Sequence, residues 1–157
     1  MEEYVILVDE NDNPIGKEEK VKVALIGVGL RGTNHLNNVL LRDDVLVTAI
    51  CDIDPRRITI ALDHIKKARK QKPEVFGKDD YDYRNLLALK DVDAVIISTP
   101  WLWHTRMAKD AMRAGKYTGL EVSAANTLEE CWDLVNTHEE NLLFYITLNL
   151  CRYIPIL

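Results

Sequence analysis

Hydrophobic positions recur along this chain in two alternating rhythms, short branched apolar runs and longer stretches at helical spacing. Val21, Val23, Leu25 and Ile26 form the first clear run, of the length a buried parallel strand needs. Leu36, Val39 and Leu40 follow at helical spacing, and Val45–Cys51 is a second strand run. Asp54 and Pro55 signal a helix start as cap and first-turn proline, and Ile58, Leu62 and Ile65 repeat at helical spacing behind them. The polar stretch 72–80 holds a short strand at Val75–Phe76, and Tyr83–Leu89 predicts a brief helix. Asp93–Thr99 is the next strand, ended by Pro100, and the helix beyond Trp101–His104 turns Met107, Ala111 and Met112 inward with Gly115 closing it. Tyr117–Val122 predicts a strand. Thr127–Glu130 has the spacing of a capping box, and Leu128, Cys131, Trp132 and Val135 line one face of the helix it starts. Leu142–Leu148 gives a last strand. Strands alternating with helices at this period predict an α/β fold, a Rossmann-type doubly wound parallel sheet in a single domain. Val21–Ile26 is expected at its centre, between Val45–Cys51 and Ala94–Ile97, in the strand order 3-2-1-4-5-6.

Residues 1–20 stand outside that alternation. Tyr4–Val8 reads as a strand and Asp9–Gly16 is dense in turn formers, which predicts a strand-and-loop or hairpin extension. Asp9 and Asp12 lack the spacing of a calcium loop and read as a solvated turn. The expected organisation is therefore an extension over 1–20, the sheet domain over 21–148 and a divergent apolar tail over 149–157.

Composition narrows the function classes. At 157 residues there is room for one domain with a sizeable core. A net charge of −5 argues against general binding to nucleic acid or anionic membranes. The basic run Lys66, Lys67, Arg69, Lys70 and Lys72 reads as a solvated helix face. No apolar run reaches spanning length, and Tyr4–Val8 is too short and too acidic in its flanks for a secretory signal. Cys51, Cys131 and Cys151 are too few and too far apart for a disulfide framework or a metal centre, so a soluble, cytoplasmic protein with no metal is expected.

The chemistry lies between the first two strands. Val21–Ile26 runs into Gly27-Val28-Gly29-Leu30-Arg31-Gly32, a complete G-x-G-x-x-G. Gly27 permits a tight turn, Gly29 lets a diphosphate approach bare backbone, and Gly32 lets the helix pack closely. The second strand ends on Asp52, twenty positions beyond Gly32, where a carboxylate accepts hydrogen bonds from an adenosine ribose. Strand, glycine turn, helix and acid together indicate a dinucleotide site. The carboxylate favours NAD over NADP, with Arg56 and Arg57 just beyond it as the competing feature. His35, His64 and His138 lie on predicted helices with no expected partners and are assigned no chemistry.

From Val21 to about Glu139 the chain resembles the nucleotide-binding domain of the glucose–fructose oxidoreductase, inositol dehydrogenase and MocA superfamily. The resemblance rests on the glycine turn, on AICDIDP over Ala49–Pro55, on ISTPWLWH over Ile97–His104 and on AGKYTGLEV over Ala114–Val122. Within it the chain is most similar to glycoside hydrolase family 109, NAD-dependent enzymes acting on α-N-acetylgalactosaminides. Most of the superfamily carries Glu-Lys-Pro after the fifth strand, whereas this chain has Glu121-Val122-Ser123, and its aromatic WLWH also resembles the hydrolase branch. The resemblance implies that Leu30 and Arg31 cover the diphosphate and Asp52 takes the ribose hydroxyls. It further implies that Trp101, Leu102, Trp103 and His104 wall the cofactor, that Glu121 and Val122 border the nicotinamide, and that Asn149 matches a family asparagine after the sixth strand. The implied cofactor is NAD, the implied substrate an amino-sugar glycoside, and the implied reaction a hydrolysis run through transient oxidation at C3 of the sugar. The sugar pocket and proton-transfer groups of such enzymes lie in a second domain, so the chain is expected to be catalytically incomplete alone and to expose apolar surface suited to self-association. A stand-alone NAD(H)-binding or interaction module is the alternative. The first twenty residues resemble the opening of type I isopentenyl-diphosphate isomerases, but none of that fold's catalytic helix motif follows, and no activity is carried over.

Overall fold

Every strand of the main sheet runs in the same direction, as expected when each strand is followed by a crossover helix. The structure is a computed structural model and describes residues 4–8, 14–141 and 145–148, with side chains described over 19–141. Asp9, Asp12, Asn149, Cys151 and the expected tail over 149–157 lie outside the described residues. In chain order the elements are β1 (Tyr4–Val8), β2 (Pro14–Glu19), β3 (Val21–Ile26), α1 (Leu30–Leu40), β4 (Val45–Cys51), α2 (Pro55–Lys67), β5 (Glu74–Phe76), α3 (Tyr83–Leu87), β6 (Ala94–Ile97), α4 (Trp101–Arg113), β7 (Tyr117–Glu121), α5 (Leu128–Asn141) and β8 (Tyr145–Leu148). Strands β3 to β8 form one six-stranded sheet in the order β5-β4-β3-β6-β7-β8. That is the predicted 3-2-1-4-5-6 order, with Val21–Ile26 paired parallel to Val45–Cys51 on one side and Ala94–Ile97 on the other.

β1 and β2 pair antiparallel as a hairpin in a sheet of their own. Pro14-Ile15-Gly16, expected in the turn, instead opens β2, and Pro14 pairs opposite Val8. Proline is tolerated as the first residue of a strand, where its missing N–H disturbs the ladder least.

The sheet separates two apolar layers. Leu25, Val28, Val47 and Ile50 pack with Leu36 and Leu40 of α1 and Ala61 and Ile65 of α2. On the opposite face Ala24, Ile26, Ala49, Cys51, Val95, Ile97 and Leu120 pack with residues of α3, α4 and α5. Strict alternation would send Val47 and Ala49 to the same face. The register between β3 and β4 shifts instead, pairing Val23 with Val47 but Ala24 with Ala49. Thr48 is the extra residue, and this bulge is what divides the two between opposite layers.

Helix ends follow the sequence signals. The Asp54 carboxylate accepts from the Arg56 N–H at 2.9 Å with Pro55 in the first turn, and the Thr127 hydroxyl accepts from the Glu130 N–H at 3.1 Å. Gly115, just past α4, takes φ +77, the left-handed conformation a glycine closes helices with. The apolar face of α5 differs from expectation. Leu128 and Trp132 are exposed at 73% and 59%, Cys131 is exposed, and the buried residues are Leu134 and Thr137. The Lys109–Asp133 ion pair and the bond from the Asn126 amide to the Trp101 carbonyl tie this helix to α4. Leu134 joins the layer formed by Ala108, Ala111 and Met112, whereas Leu128, Cys131 and Trp132 of the stripe read from the sequence face outward and Val135 is half-buried.

The connection from β5 to α3 is organised by the buried carboxylate of Asp82. It accepts from the Gly77 N–H at 2.6 Å, the Lys78 N–H at 2.9 Å and the Asn85 amide at 2.8 Å. The Lys78 N–H first, then the Asn85 amide and the Gly77 N–H, hold this carboxyl from its usual 3.8 down to about 2. A carboxyl acidified by folding contributes stability above its unfolded pKa and loses it as pH falls toward the folded one. Urea midpoints measured down from pH 5 are therefore expected to fall through the range from about 4 to about 2, and Asp82→Asn is expected to flatten that decline. An Asp82→Asn variant with the wild-type acid limb would contradict this assignment.

Candidate functional site

Gly27 leaves β3 with φ +85, a left-handed backbone that a side chain strains, and its N–H donates to the Cys51 carbonyl at 2.8 Å. The turn ends at Gly29, the cap of α1. That helix start has no side-chain cap and no acidic residue in its first turn. A Cβ on Gly29 would meet nothing within 4 Å, so the backbone is open to a ligand there. Gly32 is the opposite case, since a Cβ would stand 1.9 Å from the Gly27 carbonyl oxygen. The close approach that excludes a side chain is thus between α1 and the glycine turn itself. The result is an uncapped helix N-terminus facing open space, the arrangement that holds anions.

Asp52 follows β4 directly and is half-buried. One carboxylate oxygen accepts from the Val28 N–H at 2.8 Å, the other from the Asp54 N–H at 2.9 Å. The acid therefore braces the glycine turn, and each oxygen retains a lone pair for a further donor. The Arg56 guanidinium is held by both oxygens of Asp54 at 3.0 and 2.9 Å, whereas Arg57 lines the cleft.

A cleft of about 460 Å³ runs along the C-terminal ends of β3, β4 and β6. Gly27, Gly29, Arg31, Asp52 and Trp103 all line it, bringing five of the sequence-predicted residues into one space. Leu30 lies beside it, 78% exposed in the first turn of α1. Trp101–His104 forms the first turn of α4 and not a segment ahead of it, because the helix begins immediately after Pro100. The turn splits the four residues. Trp103 faces the cleft, and Trp101 and Leu102 border a neighbouring shallow depression with Thr99, Pro100 and Asn126. His104 is buried, its ring nitrogens 2.6 Å from the Ser123 carbonyl and 2.8 Å from the Thr99 carbonyl. It thus ties the exit of β6 to the exit of β7. Glu121 ends β7 in the interior, and Val122 follows at 40% exposure. Neither lines the main cleft among the described residues, and Asn149 lies outside them.

The expectation that the helix histidines have no partners does not hold, since all three interact with other groups. His35 Nε2 stands 2.7 Å from Glu121 Oε1, and His64 Nδ1 is 2.7 Å from Asn37 Oδ1. Both pairs join residues far apart in sequence, which periodicity along the chain does not register.

Further groups border the cleft. Ser98 lies at the exit of β6, inside the ISTPWLWH run, and its hydroxyl is buried without a hydrogen-bond partner. Such a hydroxyl costs free energy unless a ligand or water meets it. Its signal in the sequence is its place at the C-terminal end of a parallel strand. Burial, followed by the charges of Asp82 and Asp52, pushes the Cys51 thiol up to about 12. Burial and the hydrogen bond to Asp110 raise Tyr83 to about 12 as well. Both stay protonated at neutral pH, so neither serves as a nucleophile or base there. The cleft is equipped to bind a ligand with an anionic centre and polar ends. An open glycine turn, an uncapped helix start, a waiting Ser98 hydroxyl and the Asp52 carboxylate fit the diphosphate and ribose of a dinucleotide.

Comparison with known proteins agrees with that geometry. Residues 21–147 match the model of the oxidoreductase family with an NAD-binding Rossmann fold, the family of glucose–fructose oxidoreductase, inositol dehydrogenase and MocA. The chain belongs to this family. It is an NAD-binding oxidoreductase domain. Among curated relatives, a glycosyl hydrolase family 109 protein of Shewanella baltica is 46% identical over 123 residues, covering 78% of this chain and 27% of that protein. An α-N-acetylgalactosaminidase of Shewanella oneidensis is 45% identical over 123 residues, with the same 78% and 27% coverage. The chain thus spans about a quarter of the length of these relatives. Among solved structures, scyllo-inositol dehydrogenase of Lactobacillus casei with bound NAD(H) and scyllo-inositol has a TM-score of 0.70 at 21% identity, covering 82% of this chain and 36% of that one. Myo-inositol 2-dehydrogenase of Lactobacillus plantarum has a TM-score of 0.70 at 19% identity, with the same 82% and 36% coverage. At such identities the likeness is one of fold. Among the described residues no helix is long and apolar enough to cross a membrane, and no group of acidic, histidine or cysteine side chains could hold a metal ion.

Proposed function

We propose that this chain is the NAD(H)-binding part of an enzyme that hydrolyses α-N-acetylgalactosaminides through transient oxidation of the sugar. The observation that carries this reading is the 45% identity, over 123 residues, to a relative named for that activity. When bound, NAD⁺ supplies a reversible hydride acceptor, which is the difficult part of such chemistry. The chain's own residues bind and orient. The start of α1 and the bare backbone at Gly29 receive the diphosphate, with Leu30 and Arg31 over it. Asp52 takes the ribose hydroxyls, and Trp103 closes the side of the cleft. The His104 ring holds the turns after β6 and β7 together and so positions Trp101, Leu102, Glu121 and Val122 at the nicotinamide end. The substrate class is an amino-sugar glycoside. Exposed Trp101, Leu102 and Trp132 favour self-association or a partner surface. The free thiols of Cys51 and Cys131 suit the reducing cytoplasm.

The reading is tested by supplying the 157-residue chain with NAD⁺ and a chromogenic aryl α-N-acetylgalactosaminide. Hydride transfer needs the sugar carbon held a few ångströms from the nicotinamide in a site that excludes water. Saturable NAD⁺ binding without release of the chromophore is expected. Turnover clearly above that of Gly29→Trp, whose indole would fill the open space at the glycine turn, would show that the sugar-processing groups lie within these residues.

A further inference from the structure

Glu121 is a carboxylate at the C-terminal end of the sheet, and its side chain is only 4% exposed. Burying such a charge is costly unless donors surround it. Oε2 accepts from the Val122 N–H at 3.2 Å. Oε1 faces two donors from successive turns of α1, His35 Nε2 at 2.7 Å and Arg31 Nε at 3.9 Å. Residues four apart share a helix face, so α1 presents both side chains to the same oxygen. An ionised carboxylate only accepts, hence the short contact is a His35 N–H donating. Arg31 stays beyond hydrogen-bond distance, 46% exposed, and lines the cleft at the uncapped helix start.

We propose that His35 is a positioning residue for the nucleotide site: by occupying Glu121, it leaves the Arg31 guanidinium free for the diphosphate of the ligand. This rests on the reading of the cleft as the dinucleotide site. Without the imidazole, the buried carboxylate keeps one nearby cation, and a movement of about 1 Å brings Arg31 into direct contact with it. The guanidinium is then spent on Glu121. His35 touches neither the cleft nor the ligand; it acts through competition for one oxygen atom.

A double-mutant cycle on NAD⁺ affinity tests this, with thermal midpoints recorded for every variant. His35→Leu is expected to weaken NAD⁺ binding by roughly tenfold, the scale of one hydrogen bond to a charged group. His35→Gln, whose amide N–H can still donate to Glu121, is expected to recover most of that loss. In an Arg31→Ala background, His35→Leu is expected to cost less than about twofold, because the guanidinium it would misdirect is gone. A role in packing alone predicts the same loss in both backgrounds and no rescue by glutamine, and that result would overturn the inference. Unchanged affinity in His35→Leu would overturn it equally. If the leucine variant does not fold, His35→Asn, too short to reach Glu121, makes the same comparison. A wild-type chain without NAD⁺ affinity would refute the reading of the site itself, whereas normal wild-type affinity without coupling between residues 31 and 35 refutes only the role of His35.

Discussion

Gly32→Ala is expected to lose about 3 kcal/mol of folding stability. The added Cβ would stand 1.9 Å from the Gly27 carbonyl oxygen and 2.8 Å from its carbonyl carbon. Those atoms belong to backbone and cannot rotate aside as a flexible side chain would. The Gly27 turn cannot retreat readily either. Its own Cβ position is 2.7 Å from the Ser98 carbonyl oxygen, its φ is +85, and its N–H is tied to the Cys51 carbonyl. Relief would therefore require α1 to lift from the turn, separating Leu36 and Leu40 from the layer they share with Leu25 and Ile50. Gly29→Ala is the matched control. It adds the same methyl group three residues earlier in open space, and as a cap substitution it is expected to cost about 1 kcal/mol or less. Denaturant unfolding of the two variants beside the wild type measures both. A Gly32→Ala variant as stable as Gly29→Ala would show that α1 does not sit on the turn as described.

The fold was readable from the sequence because its signals are local and mutually consistent. The run Val21–Ile26 ends in a glycine turn, Asp54-Pro55 opens a helix, Pro100 ends a strand, and each spacing fits a parallel crossover. The cleft lined by Gly27, Gly29, Arg31 and Asp52 was readable for the same reason, since these residues fall at fixed offsets around one strand–turn–helix. What escaped is long-range. The stripe Leu128, Cys131, Trp132 and Val135 has the correct period, but α5 turns Leu134 and Thr137 inward instead, and packing against the sheet and α4 is not encoded in that period. The bulge at Thr48 depends on the pairing of β4 with β3, which alternation within β4 does not encode. His35 and Glu121 are 86 positions apart, and only the closure of the sheet brings them to 2.7 Å. Ser98 was within reach, since it sits at a strand exit in the quoted aromatic stretch, yet its unpaired hydroxyl emerges only from packing.

Asp52→Ala is expected to weaken NAD⁺ binding by on the order of 10- to 100-fold, the range for losing hydrogen bonds to a charged group. Two effects add. The ribose hydroxyls lose their acceptor, and the Val28 and Asp54 N–H groups lose the carboxylate that braces the glycine turn at 2.8 and 2.9 Å. The same substitution removes the charge that opposes a ribose 2′-phosphate, so it should also narrow the preference for NAD⁺ over NADP⁺. Arg56 is already paired with both oxygens of Asp54, so it would have to exchange that contact to take the phosphate. Arg57, which lines the cleft, is the side chain through which the variant would gain NADP⁺ affinity. Asp52→Asn separates the two effects, because it retains an acceptor oxygen while discarding the charge.

Calorimetric titration of the wild-type chain with NAD⁺ and NADP⁺ tests most directly whether the cleft at the end of β3 is an NAD site selected by the Asp52 carboxylate. Saturable binding of one NAD⁺ per chain, at least about tenfold tighter than NADP⁺, is the predicted result; absence of saturable NAD⁺ binding, or NADP⁺ binding as tight or tighter, would contradict it.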